Sequence, residues 1–222
     1  LRHFSGGGEL AAAAILVDEA PSMMPQLISM KGGNLLVVQT HESKVDAHLA
    51  LPEVTALNLS EGLTGVHKFP SVAIVSDHEV FVVWFHYPDL TDLLNGKLVG
   101  RLLDTDLGQT GELLVLGNVE YMDESYLRRA TAVAAGTEVN LVGWNSKVNS
   151  DVPDSCNAMD LLMLPWQFGE EKGLPGSVSP FISHIHVSPS ICSVGDGGFV
   201  AAWEDRHDET KDWCVPRGES EE

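Results

Sequence analysis

The chain is short of positive charge: 13 Lys+Arg stand against 32 Asp+Glu in 222 residues, a formal net charge of −19. Neutralising phosphates takes clustered Lys and Arg, so nucleic acid is excluded as a partner class, and an anionic membrane surface is disfavoured for the same reason. Long apolar runs are also missing. The longest, Leu10 to Val17, has 8 residues, against the roughly 20 that a helix needs to cross a bilayer, and no transmembrane segment is expected. Cysteine is scarce: Cys156, Cys192 and Cys214 are too few for a disulfide framework and lack the spacing of zinc or dithiol chemistry. There is no nucleophile elbow, no Gly-rich phosphate loop and no H-E-x-x-H, so enzyme activity has little support. The first residue is Leu and not Met, which suggests a chain processed or cut from something longer.

What is present is a folding composition, 44% hydrophobic, and a repeat. Pro25 opens PQLISMKGGNLLVVQ, Pro70 opens PSVAIVSDHEVFVVW, Ala130 opens ATAVAAGTEVNLVGW and Pro189 opens PSICSVGDGGFVAAW. Each ends 14 positions on, at Gln39, Trp84, Trp144 and Trp203, and successive starts are 45, 60 and 59 residues apart. Each stretch reads as a hairpin: a short alternating strand, after a first-position Pro in all but the third, where Ala130 replaces it, then a turn rich in Gly and Asp and a β-branched and aliphatic strand. Lys97–Leu103 and Glu112–Leu116 supply two more strands in the second unit, and Asp160–Leu164 and Phe181–Val187 do so in the third.

Four-stranded units of this period predict an all-β fold, a β-propeller. The chain 1–222 then forms a single domain: a half-blade 1–24, blades 25–69, 70–129 and 130–188, and a half-blade 189–222 with an acidic tail. Two closures stay open. Residues 1–24 complete the last blade in a four-bladed ring, or the chain is part of a larger propeller.

The strings P-S-V-A-x-x-x-D-x-x-x-F-V-V-W at Pro70–Trp84 and G-R-L-L-D-x-D-x-G at Gly100–Gly108 resemble the tryptophan-bearing repeats of large secreted and cell-surface proteins. Pro189–Trp203 carries the same resemblance through Gly197-Gly198-Phe199-Val200. It implies a propeller in an extracellular, adhesive or structural protein, sometimes associated with calcium, and no catalytic residue.

Trp84, Trp144 and Trp203 recur at one structural position, as packing residues between blades do. Asp104 and Asp106 alternate before Gly108, half of a calcium-loop pattern, but the third ligand and the closing Glu are missing and an ordinary hairpin turn is the favoured reading. His41 and His86 each lie two residues past the second strand, at the offset of Ser146 and Asp205; such a ring of loop positions at the propeller mouth is one way to build a metal or ligand site, but solvated loop residues are the favoured reading. His184 and His186 share one strand face. Asn58-Leu59-Ser60 is an N-glycosylation sequon. Cys156 and Cys214 fall in equivalent outer loops and are expected to form a disulfide, while Cys192, aligned with Ile28, Ala73 and Val133, is expected to be buried. The resulting expectation is a structural or adhesive propeller module binding protein or glycan. The alternatives are a carbohydrate-active or metal-dependent enzyme using the propeller mouth, and a calcium-stabilised ligand-binding propeller.

Overall fold

Alternation of apolar and polar residues with period two gives strands, and the computed structural model contains fourteen of them among its described residues: 22–49, 55–89, 96–119, 131–136, 139–147, 159–167, 175–177, 185–194 and 197–206. Blade 1 is the antiparallel sheet of β1 (Ser22–Ser29), β2 (Leu35–His41), β3 (Lys44–Leu49) and β4 (Thr55–Asn58), paired in that order. Blade 2 repeats it with β5 (Val66–Ser76), β6 (Glu79–Tyr87), β7 (Gly96–Asp104) and β8 (Leu114–Val119). Blade 3 has β9 (Thr131–Ala135), β10 (Asn140–Lys147), β11 (Met159–Trp166) and the two-residue β12 (Gly176–Ser177). The hairpin of β13 (Ile185–Ser193) and β14 (Phe199–Arg206) begins blade 4. The first strands lie side by side, β1 against β5, β5 against β9 and β9 against β13. The fold is therefore an all-β propeller built from four-stranded repeats. Among the described residues no helix is long and apolar enough to cross a membrane.

Blades stack by apolar faces. Met30, Leu36 and Val38 of blade 1 meet Val80, Val82 and Trp84 of blade 2 in one buried cluster. Ala73, Phe81 and Val83, on the opposite face of blade 2, join Val142, Trp144 and Trp166 of blade 3 in another. Phe81 and Trp166 stack with ring centroids 4.5 Å apart. Gly117 makes room for the next blade's tryptophan, since a Cβ there would stand 2.8 Å from Trp144 Cζ2.

The prolines depart from expectation. They do not begin the strands but sit inside them, where Met24, Phe69 and Ser188, each directly before a proline, all have φ of 56°. The pairing skips at these places, so that two residues oppose Gln39, Trp84 or Trp203. A non-glycine in this left-handed region costs about 1–2 kcal/mol, and the bulge lets a residue without an N–H lie in a ladder, in β1 and β5 at the edge of the sheet and in β13 away from its single pairing to β11 at Ile185. The Phe69 carbonyl turned out by the bulge accepts a hydrogen bond from the Thr131 hydroxyl of blade 3.

Two other readings are corrected. Within the expected fourth strand of blade 3, Phe181–Val187, the described residues Ile185–Val187 pair with β14 as the start of the first strand of blade 4, while Ile185 also pairs in parallel with Met159 of β11, so that this hairpin continues the sheet of blade 3. In blade 3, Val142 pairs with Val133, whereas Val82 of blade 2 pairs with Val72. The first strand of the third unit is thus displaced by one residue from the repeat alignment, which exchanges its two faces.

Candidate functional site

Second strands run toward one end of the ring, and there the turn after β2 meets the segment linking β4 to β5. They line an open-sided cavity of about 280 Å³ whose lining includes Ser43, Lys44, Asn58, Ser60, Glu61 and His67. The link is shaped by short-range bonds. Asn58 Oδ1 accepts from the Ser60 amide at 2.9 Å and the Ser60 hydroxyl at 2.8 Å, and Ser60 Oγ accepts from the Val45 amide at 3.2 Å. Leu59 is driven into the core between them. Gly65, with φ of +107°, closes the link in a conformation that disfavours other residues, and a Cβ there would collide with the Tyr87 carbonyl.

The cavity floor holds a buried imidazole. His67 is 1% exposed and accepts a hydrogen bond at Nδ1 from the Trp84 indole N–H, 3.2 Å away. That contact puts the proton of the neutral ring on Nε2. Nε2 makes no full hydrogen bond, although the Leu63 carbonyl lies near enough to oppose slightly the fall in pKa. His86 stacks on it with centroids 4.7 Å apart and planes within 9°. Burial, and next the neighbouring His86, lower the His67 pKa from 6.5 to about 4, and burial lowers that of His86. His67 lines the cavity and His86 backs it from behind, so the stacked pair places a neutral ring, without fixed charge, beside the space.

The same level of the ring recurs in other blades. Ser22 pairs with His41 and His186 with Asp205, as His67 pairs with His86. His41 Nδ1 lies 3.8 Å from Asp46 Oδ2. The expected ring of His41, His86, Ser146 and Asp205 thus falls at matched strand ends, but among the described residues no group of three or more His, Cys, Asp or Glu side chains is placed to hold a metal ion. His184 lies outside the described residues.

The other expected positions are dispersed. Asp104 and Asp106 are on the β7–β8 turn, where Asp104 Oδ1 accepts from the Asp106 amide at 2.9 Å and the Gly108 amide at 2.7 Å. Trp84 and Trp144 are buried, but Trp203 is 37% exposed, which corrects its assignment as an equal packing residue. Trp144 meets Gly117 on the fourth strand of the preceding blade, and the described fourth strand of blade 3 is only Gly176–Ser177. Cys192 is exposed and not buried. Cys156 and Cys214 lie outside the described residues, as do residues 1–21 and 207–222. His67 escaped the sequence reading. Its signal was its place three residues before the repeat proline, in register with His86.

No family model and no curated protein sequence matches the chain. Solved structures do. A thermostable family-43 glycoside hydrolase is 9% identical with a TM-score of 0.53, over 83% of this chain and 65% of that one. An N-acetylgalactosamine deacetylase from F. plautii, in complex with blood group B trisaccharide, is 10% identical with a TM-score of 0.56, over 83% and 62%. The NanB sialidase from Streptococcus pneumoniae is 10% identical with a TM-score of 0.51, over 92% and 29%. The chain therefore spans less than two thirds of the length of each of these structures. At such identities the likeness is one of fold.

Proposed function

We propose that this chain is the propeller of a carbohydrate-active protein and that it holds sugar in the cavity between blades 1 and 2. The observation that carries the reading is the cavity itself, with Lys44, Asn58 and Glu61 on its walls and the buried His67 at its floor. Sugar hydroxyls both donate and accept, and they are selected by a few fixed polar groups around an otherwise enclosed ring. The Asn58 amide nitrogen and Lys44 supply donors and Glu61 supplies an acceptor. At about 280 Å³ the space suits a single sugar ring. The fold supports the reading, because the similar structures include proteins described as acting on glycans. An extracellular or cell-surface setting goes with it.

Hydrolysis is the second reading, favoured by the likeness to glycoside hydrolases. It requires a pair of carboxylates across the scissile bond, of which the described lining of the cavity supplies one, Glu61. Titration against a panel of oligosaccharides, with release of reducing sugar followed in the same samples, tests both. Binding of at least one glycan is expected, weakened about tenfold or more by Glu61→Gln or Lys44→Ala. A panel without binding, or binding indifferent to both substitutions, would overturn the proposal.

A further inference from the structure

The face of blade 4 turned away from blade 3 is built like an inter-blade surface and, among the described residues, lies open. Its positions are fixed by the repeat. In blade 1, Ile28, Met30, Leu36 and Val38 pack on blade 2, and in blade 2 the equivalent Ala73, Val75, Phe81 and Val83 pack on blade 3. The equivalents in blade 4 are Cys192, Val194, Val200 and Ala202. All four are exposed, Val194 at 44% and Val200 at 53%. Isolated exposed apolar residues are ordinary, but a set that repeats a buried interface position by position marks an interaction surface.

We infer that this face docks a further four-stranded blade of the tryptophan-bearing type. A second copy of this chain, or the chain's own blade 1, is a poorer occupant. A blade meets its predecessor through the face that carries Trp84 or Trp144, and blade 1 has Gln39 there. Gln39 is 4% exposed and its amide nitrogen lies 3.3 Å from His48 Nε2, so this face, which also carries the exposed Leu27, has a polar, occupied group at the one position where the docking blade needs an indole. The inference does not depend on sugar binding and fails or holds separately from it.

The test extends the full chain at its C-terminus by a second copy of its own residues 70–188, whose leading face carries Trp84. Alkylation of Cys192, read by peptide mapping, reports cover on the face. Cys192 is expected to react freely in the unextended chain and at least about tenfold more slowly in the extended one, because docking within one polypeptide raises effective concentration to the millimolar range. Val200→Glu in the extended chain restores the fast rate. In the unextended chain the same substitution leaves the melting temperature nearly unchanged. Equal rates in the two chains would overturn the proposal, and so would appended residues that stay unfolded beside the open face. An unextended chain that self-associates and thereby protects Cys192 would also overturn it, in favour of a second copy.

Discussion

At the scale of single residues, the most informative side chain is His67, which is held neutral by burial and by His86 while the Trp84 indole donates to it. Its folded pKa of about 4 lies below the 6.5 of a free imidazole. As pH falls the unfolded chain therefore takes up the proton first. The stabilisation is complete above the unfolded pKa and is lost progressively toward the folded one. His86 shifts in the same direction. Urea unfolding between about pH 7 and about pH 4.5 should show a loss that His67→Gln reduces by on the order of 1 kcal/mol after solvent screening. A histidine that remained solvated would give parallel pH profiles for the two proteins. None of this was legible locally. Val66-His67-Lys68 is an unremarkable string, and only the pairing of β5 with β6 sets His67 against His86. Asp104 is the contrary case, since the short segment Asp104–Gly108 contains its own hydrogen-bond partners and the hairpin-turn reading could be made from adjacent residues.

At the scale of elements, the hairpins were the most legible part of the chain, because alternation and turn chemistry act within about fifteen residues. The structure altered what those hairpins do. A proline inside the strand is accommodated by a left-handed residue before it, in three blades alike. The displaced register of β9 turns Val133 to the face that Val72 occupies in blade 2. The tryptophans diverge for a similar reason, since their burial depends on the strand opposite. Trp84→Ala is expected to destabilise the fold by about 3–5 kcal/mol, as large core truncations do, and Trp203→Ala by less than half as much. Denaturant midpoints of the two variants measure the contrast, and equal losses would mean that Trp203 is covered as fully as Trp84.

For the molecule as a whole, stability should fall along the array toward blade 4. The strands of blade 2 are packed on both faces, whereas one face of the β13–β14 hairpin is open. Local opening is cheapest where few apolar contacts must be broken. Amide exchange at β14 should therefore run about a hundredfold or more faster than at β6, measured by mass spectrometry under native conditions. Uniform protection would instead point to one cooperative unit that includes blade 4. The sequence by itself determined the four-stranded repeat and its tryptophan position, because strand periodicity and turn residues are local properties written in consecutive residues. It also placed the negative charge, largely outside the aligned hairpins. Only the tertiary structure decided which tryptophans are buried, that Cys192 is exposed, and that His67 lines a cavity between two blades. Each of these depends on a neighbouring strand or blade, and burial is set by what stands opposite a residue.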